Sequence, residues 1–368
     1  MHIAEIAPLA ESVPPSHYGG TERVVSWLTE ELVNLGDKVT LFASGGSKTK
    51  AELVSVCPKP LRLSRPAIDS NSALAALLES VARRADHFDV IHCHLDWVHI
   101  PLLQLLGRPF VTTLHGRLDL PHLETLVSGF ADAPFISISN SQRTPLTALN
   151  WVDTIYHGLP ERLLTPNLRP GSYLAFLGRF TPEKGPHVAI RLARKAQLPL
   201  RIAAKIPRQQ SHYFKEQIEP LLDGDQIEFV GDVNERQKQD FLGNAIAVLF
   251  PIDWPEPFGL VMIEAMACGT PIIAWRRGSV PEIIEDGVTG FIVENEDEAI
   301  DAIERIPDLD RRRVRAAFER RFTARHMAES YRRSFQRVLA VSDRNIASPD
   351  LLPLASATSD IAVRPDIA

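Results

Sequence analysis

The sequence predicts an α/β protein of two doubly wound parallel-sheet domains facing one another across a cleft. Three observations carry this. Short apolar strand signals alternate with amphipathic helical stretches along the chain, the pattern of parallel sheets covered on both faces. The chain has 368 residues, more than one hydrophobic core usually supports. Finally, a Pro-rich polar connection, Gly158-Leu-Pro-Glu-Arg-Leu-Leu-Thr-Pro-Asn-Leu-Arg-Pro-Gly171, separates two sets of strand signals as a linker would.

The first set places strands near residues 2–7, 38–43, 88–92, 109–114, 134–139 and 152–155, with amphipathic stretches such as 22–35 between them. The second starts near Tyr173 and continues through 200–204, 227–230, 247–250, 271–274 and 291–293. These give a first domain over 1–165 and a second over 166–323. Residues 324–341 read as one more helix, within a closing segment 324–345. Residues 346–368, rich in Ser, Pro, Ala and Asp without a sustained period, read as a poorly ordered tail or a partner-bound arm.

A hydrophobic content of 45% with 23% charged residues is that of a soluble globular protein, and no apolar run approaches the length that spans a bilayer. The start, Met1-His-Ile-Ala-Glu-Ile, reads as a folded strand with an early acid and not as a signal peptide. Cys57, Cys93 and Cys268, odd in number and widely spaced, fit reduced thiols. Together these predict a cytoplasmic location. A net charge of −6 argues against a nucleic-acid surface, though peripheral membrane contact needs only a local patch.

The segment Trp254-Pro-Glu-Pro-Phe-Gly-Leu-Val-Met-Ile-Glu264 is the most informative in the chain. Glu256 precedes a proline and so sits in extended or turn backbone. Gly259, Leu260 and Val261 open an apolar run, so a loop feeds a buried helix whose first amides are unpaired and carry the positive end of the macrodipole. Such a turn can hold a diphosphate. A carboxylate accepts two hydroxyl hydrogen bonds, which suits Glu256 to a sugar ring and Glu264 to a ribose. In Leu174-Ala-Phe-Leu-Gly-Arg-Phe-Thr-Pro-Glu-Lys-Gly185, an apolar strand ends in a Gly-Arg turn and a helix begins near Lys184. Arg179 there offers a bidentate fork for phosphate oxygens and Lys184 a compact point charge, at a strand's carboxyl end where open α/β sheets bind ligands.

The first domain contributes Pro14-Pro-Ser-His-Tyr-Gly-Gly-Thr-Glu-Arg23, in which Gly19 and Gly20 let backbone approach a ligand and offer an anion nest, or simply make a tight strand-to-helix turn. His115, in Val111-Thr-Thr-Leu-His-Gly116, and Asn140, in Phe135-Ile-Ser-Ile-Ser-Asn-Ser141, stand at strand ends facing the crevice. His115 suits a sugar hydroxyl, while Asn140 reads equally as a helix N-cap or a ligand contact. Backbone around Val230, in Phe229-Val-Gly-Asp232, suits the donor base, and Trp254 either shapes the sugar pocket or is a buried structural tryptophan.

The Gly178-Arg-Phe turn with Glu183-Lys-Gly185, followed by Glu256-Pro-Phe-Gly-Leu-Val-Met-Ile-Glu264, resembles the family-4 retaining glycosyltransferases of the GT-B fold (glycosyl transferases group 1). The resemblance extends through Cys268-Gly-Thr-Pro-Ile-Ile, Gly278-Ser-Val-Pro-Glu-Ile-Ile, Asp286-Gly-Val-Thr-Gly-Phe-Ile-Val and Tyr18-Gly-Gly-Thr-Glu-Arg23, covering nearly the whole chain before residue 345. It implies two Rossmann-like domains, the first on the acceptor side, the second binding the nucleotide sugar, and a last helix that crosses back onto the first. It further implies that Arg179 and Lys184 hold the donor pyrophosphate, that Glu256 contacts the donor sugar and Glu264 the ribose, and that His115 lies by the reacting sugar. Transfer with retention is the implied reaction, and a carbohydrate, lipid-linked or small-molecule hydroxyl is the expected acceptor.

No cofactor and no metal are expected, because no Asp-x-Asp element stands at a suitable strand end and the leaving diphosphate has Arg179, Lys184 and helix amides for neutralisation. The cluster His92-Cys-His-Leu-Asp-Trp-Val-His99 invites a metal reading through His92, His94, Asp96 and His99. It lacks a second, separated ligand group and reads better as a strand end bordering the acceptor side. Glu256 and Glu264 lie in one segment and do not make a glycosidase pair. The alternatives are a sugar-nucleotide epimerase, a phosphorylase of the same architecture, or a non-catalytic nucleotide-sugar-binding protein. A nicotinamide dehydrogenase would need Gly-x-Gly-x-x-Gly after the first strand, which this chain lacks.

Overall fold

The structure is a computed structural model that describes residues 1–16 and 19–347, so Tyr18 and the tail from 348 to 368 lie outside the described residues. The first sheet comprises β1 (His2–Ile6), β2 (Lys38–Ala43), β3 (Glu52–Ser55), β4 (Val90–Cys93), β5 (Phe110–Thr113), β6 (Phe135–Ser137) and β7 (Trp151–Thr154). They run parallel in the order β3-β2-β1-β4-β5-β6-β7. The second holds β8 (Tyr173–Arg179), β9 (Leu200–Lys205), β10 (Ile227–Gly231), β11 (Ala245–Phe250), β12 (Ile272–Trp275) and β13 (Gly290–Val293). Its strands are likewise parallel, in the order β10-β9-β8-β11-β12-β13.

β3 is the strand that sequence patterning does not reveal. Its four residues pair with one neighbour only, at the sheet's edge, and their side chains are mostly exposed, so no buried period marks them. The central strands are legible for the opposite reason: β1, β4 and β5 are buried on both faces and mostly apolar or small, interrupted by Glu5 in β1 and His92 in β4.

Chain order reverses direction between β1 and β4 in the first sheet and between β8 and β11 in the second. At such a point the loops after neighbouring strands diverge to opposite faces and leave a crevice beyond the carboxyl ends. The strand-end candidates Gly19, Gly20, Arg179, Lys184 and Glu256 all follow strands at these two points.

The linker is fastened to the second domain by buried guanidinium groups. Arg311 donates to the carbonyls of Asn167, Ala245 and Gly243 and to Thr270 Oγ1 at 2.7–2.9 Å. Arg315 donates to the carbonyls of Leu164, Ala267 and Glu161 at 2.7–2.9 Å. The helix Ala324–Ala347 then leaves the second domain at a Leu159–Thr323 backbone bridge and packs on the first, running two residues past the expected segment end at 345. Tyr331 and Phe335 bury their rings 4.8 and 5.2 Å from that of His92, and Ser334 Oγ reaches Asp153 at 2.5 Å. Apolar side chains and ion pairs from Arg332 to Asp37 and from Arg337 to Asp153 hold it there.

The core of the first sheet is unusually polar. Glu5, His92, His94, His99, Thr112 and Thr113 are buried between the apolar layers. Burial holds the imidazoles neutral, with pKa values lowered to about 3 for His92, His99 and His157 and about 4 for His94, and well below the usual value for His115.

Two predictions follow from this packing. Truncating Arg311 to alanine leaves three carbonyls without their charged donor and should cost about 3 kcal/mol or more by denaturant unfolding, whereas an effect under about 0.5 kcal/mol would mean that the linker is not held there. The buried histidines refuse protons that the unfolded chain takes up below pH ~6.5. The unfolded state therefore binds more protons between about 6.5 and 4, and stability should fall as pH falls through that window. Burial raises the Glu5 carboxyl, which acts in the opposite sense. Thermal melts from pH 8 to 5 should show Tm dropping below about 6.5; a flat profile would mean that the imidazoles are charged in the fold.

Candidate active site

Strand β8 delivers Arg179, and a single turn Pro182–Lys184 follows before the helix Pro186–Ala196. The helix thus starts two residues later than the sequence suggests. Gly185 is the reason: it sits at φ 69°, and a Cβ there would stand 2.1 Å from the Pro251 carbonyl oxygen. This close approach brings Lys184 to the exit of β11. Its ammonium ion-pairs with Glu256 and lies 4.5 Å from the centroid of Trp254, whose Nε1 donates to Glu256 Oε2 at 3.0 Å. Arg179 is only loosely engaged, 3.8 Å from Glu183, and one-third exposed.

The loop from Trp254 ends at Gly259, whose φ of 83° turns the chain into the buried helix Leu260–Ala267. No side chain caps this helix among the described residues, so the amides of Leu260 and Val261 stand at an open N-terminus. Glu264 lies one turn further in, 4% exposed, with Oε1 accepting from Lys238 Nζ at 2.6 Å. Lys238 also reaches Glu235 at 3.2 Å, and Glu235 pairs with Arg23 of the first domain. Val230 is skipped in the β9–β10 register between Phe229 and Gly231, so its backbone falls at a bulge and its side chain is partly exposed.

Across the cleft, Gly19 begins the helix Gly20–Asn34 and is tightly enclosed: a Cβ there would meet Glu22 Oε2 and Pro15 Cβ at 2.9 Å. A Cβ on Gly20 would lie 3.9 Å from the Leu260 side chain, so the glycine turn abuts the open helix start of the other domain. His115 follows β5 and stacks on His157 at 5.2 Å, which meets the Phe258 ring edge-on at 4.8 Å. Arg117 stands 5.3 Å from the Trp254 ring.

The structure therefore gathers Gly19, Gly20, Lys184, Glu256, Gly259, Leu260 and Val261 around one cleft, with His115 one ring removed from Phe258. Glu264 stands behind the helix start. Asn140 behaves differently. The N-cap of the turn Asn140–Arg143 is Ser139, whose Oγ accepts from the Gln142 amide at 3.0 Å and donates to the Pro257 carbonyl at 2.6 Å. A cap needs extended backbone and a short side chain one residue earlier than expected. Asn140 is the first helical residue, and its amide and Nδ2 both donate to Glu282 of the second domain, at 2.7 and 3.0 Å. The Ser141 amide (2.7 Å) and the Tyr156 hydroxyl (2.9 Å) complete Glu282's partners, making it an interdomain clamp.

The histidine cluster also regroups. Asp96 is exposed and His99 bonds Thr112 at 2.7 Å, while His92 and His94 turn to Glu5. Glu5 was visible in sequence only as an acid inside an apolar strand. The interdomain and cross-element roles of Glu282, Ser139 and Lys238 carried no local signal, because the partners concerned lie 26 to 142 residues away.

The sequence profile of the Glycosyltransferase Family 4 family matches residues 18–166, and that of Glycosyl transferases group 1 matches residues 168–321. Among curated relatives, the D-inositol 3-phosphate glycosyltransferase of Mycolicibacterium smegmatis is 25% identical over 394 residues, covering 90% of this chain and 88% of that protein. The protein of that name from an Arthrobacter species is 27% identical over 267 residues, covering 60% of this chain and 63% of the relative's length. Among solved structures, AviGT4, a glycosyltransferase involved in avilamycin A biosynthesis, superposes with TM-score 0.70 at 23% identity over 92% of this chain and 98% of its own. Anabaena HepE, solved in complex with UDP and glucose, gives TM-score 0.71 at 22% identity over 92% and 100%. The two facing parallel sheets are those of the GT-B fold. With one profile on each domain, the chain belongs to the glycosyltransferases that join a Family 4 N-terminal half to a group 1 C-terminal half.

Proposed function

We propose that this glycosyltransferase moves a sugar from a nucleoside-diphosphate sugar to an acceptor hydroxyl, with retention of anomeric configuration and without a metal ion. The observation that carries the reading is the placement of Lys184, paired with Glu256 and stacked near Trp254, beside the open start of the helix Leu260–Ala267. Arg179, Lys184 and the amides of Leu260 and Val261 present positive charge to the diphosphate, with the Gly19–Gly20 turn facing them. Glu256 accepts from sugar hydroxyls and Glu264 from ribose hydroxyls, while backbone at the Val230 bulge meets the base. His115 borders the sugar from the acceptor side.

In the reaction the bond from the anomeric carbon to the diphosphate breaks, and the oxocarbenium-like sugar is attacked by the acceptor hydroxyl on the same face. The departing diphosphate takes the hydroxyl proton, so no enzyme carboxylate need form a covalent bond. The charge that develops on the leaving group is met by cations already fixed in place, which is where electrostatic preorganisation contributes most. UDP-glucose, bound in the Anabaena structures, is the first donor to test, and a phosphorylated polyol of the kind named for the D-inositol 3-phosphate enzymes is the first acceptor.

Three outcomes are expected. In thermal-shift titrations with UDP, GDP and ADP, one diphosphate should raise Tm selectively, and the shift should persist in excess chelator; a shift that vanishes with chelator would sink the metal-independent reading. Arg179→Ala or Lys184→Ala should lower turnover by about a hundred- to a thousand-fold while the variants stay folded, and wild-type turnover in either would remove that residue from the site. The anomeric proton coupling of the transferred sugar in the glycoside product, read by NMR, should report the donor's anomeric configuration, and an inverted product would overturn retention.

A further inference from the structure

His115 ends a chain of hydrogen bonds that begins two strands away. His115 Nε2 lies 2.8 Å from His94 Nδ1, and His94 Nε2 lies 3.0 Å from Glu5 Oε2. The other Glu5 oxygen is 3.1 Å from His92 Nδ1, and His92 Nε2 is 2.7 Å from Thr113 Oγ1, which meets the Tyr331 hydroxyl at 3.1 Å. Glu5, His92 and His94 are fully enclosed or nearly so, with 0–3% exposure, so each of these bonds must be made within the protein. His115 Nδ1 is also buried, and it has no partner among the described residues.

With Glu5 ionised, as it is taken to be at pH 8, the polarity of this chain follows from the hydrogen-bond inventory. An ionised carboxylate only accepts, so both imidazoles donate to Glu5. A neutral imidazole has one N–H. His94 spends it on Glu5 from Nε2, leaves Nδ1 bare, and must receive the proton of His115 Nε2. His115 in turn is left with a bare Nδ1, an acceptor beside the cleft. On the other arm, the Tyr331 hydroxyl donates to Thr113, Thr113 to His92 Nε2, and His92 Nδ1 to Glu5, so every donor on that arm finds an acceptor.

We propose that Glu5 and His94 are positioning residues that lock His115 in the tautomer protonated at Nε2, so that its Nδ1 accepts a hydrogen bond from a hydroxyl of the donor sugar. The reading deepens the proposed transferase function and rests on it for the identity of the hydroxyl. The tautomer itself follows from the geometry and an ionised Glu5, independently of the reaction. Glu5 and His94 lie behind His115 and act through it, as the partner of a metal-bound or catalytic histidine does. The same three groups, Glu5, His92 and His94, also have the chemistry of a divalent-metal site, with ligand atoms within 4.8 Å of one another. Their separate carboxylate oxygens, each about one hydrogen-bond length from its own imidazole, favour the relay over a shared ion.

The test reads tautomers directly. In two-bond proton–nitrogen correlation spectra of protein labelled with nitrogen-15 histidine at pH 8, with His115→Asn assigning the signal, His115 should show a protonated Nε2 and a bare Nδ1. His94→Leu should abolish that fixed pattern, and His94→Gln, whose amide keeps one donor and one acceptor, should largely restore it. Turnover should fall on the order of 10- to 100-fold in His94→Leu, with a smaller change in donor KM and a preserved nucleoside-diphosphate thermal shift, and should recover in His94→Gln. A His115 protonated at Nδ1 or at both nitrogens overturns the proposal. So does an unchanged tautomer in His94→Leu, or equal damage in both His94 variants. Stoichiometric zinc in the purified protein, whose removal changes the His115 signal, would assign the cluster to a metal instead. If no donor supports transfer while the tautomers behave as stated, the transferase reading fails and the positioning inference stands.

Discussion

The loop from Trp254 to Gly259 is the constraint on which the cleft depends. It has no regular structure, yet its backbone and side chains are held at almost every position, as buried loop backbone must be. The Glu256 amide bonds the Trp254 carbonyl, and the Glu256 carbonyl accepts from the Ser279 amide at 3.0 Å. Ser279 Oγ donates to the Phe258 carbonyl at 2.7 Å, and Ser139 of the other domain donates to Pro257 at 2.6 Å. Gly278 makes this possible, because a Cβ there would stand 2.3 Å from the Glu256 amide nitrogen. The motif residues Gly278, Ser279 and Glu256 thus act as one unit, although 22 residues separate the first from the last.

The same loop is where the two domains meet. Ser139 and Asn140 sit at one turn after β6: Ser139 reaches the loop and Asn140 reaches Glu282, just past the Gly278–Ser279 support. Arg117 rests on Trp254 and His157 on Phe258 from the same side. The two domains are therefore joined at this loop by a few polar and ring contacts at strand ends. Those ends are set by parallel topology, which puts every carboxyl terminus on one edge of each sheet.

What the sequence made legible was what is encoded locally. Buried strands announce themselves as apolar runs, and a Gly-Arg turn or a proline-flanked glutamate marks a strand end whatever the rest of the chain does. Gly20, Lys184, Glu256 and Gly259 were therefore readable as site candidates, and the structure brings them within one cleft. The edge strand β3 was not readable, since it has no buried face to impose a period. Nor was the exchange of roles between Ser139 and Asn140, which turns on one residue of backbone phase. The partners of Glu5 are 87 and 89 residues away and those of Glu282 are up to 142 away, and nothing in local spacing encodes such pairs. The stretch from His92 to His99, read as a strand end and not as a metal site, does diverge in space, and the acid that joins His92 and His94 comes from the first strand.

The distribution of charge completes the argument. The cleft gathers cations from both domains and keeps each beside an acid: Lys184 with Glu256, Lys238 with Glu264 and Glu235, Arg179 near Glu183, Arg23 with Glu235. A cation taken partly out of water needs compensation, and a carboxylate within reach supplies it without exhausting the donor capacity of an ammonium, which has three protons to give. Lys184 is therefore oriented by Glu256 and Trp254 while keeping donor capacity that a diphosphate could use. The interior of the first sheet behind His115 follows another rule: its imidazoles are held neutral by burial, around the enclosed carboxylate of Glu5. Paired charge thus collects at the mouth of the cleft, beside the open start of the helix Leu260–Ala267, while the interior of the first sheet holds neutral imidazoles around one acid, so the two kinds of polar group are kept in separate layers.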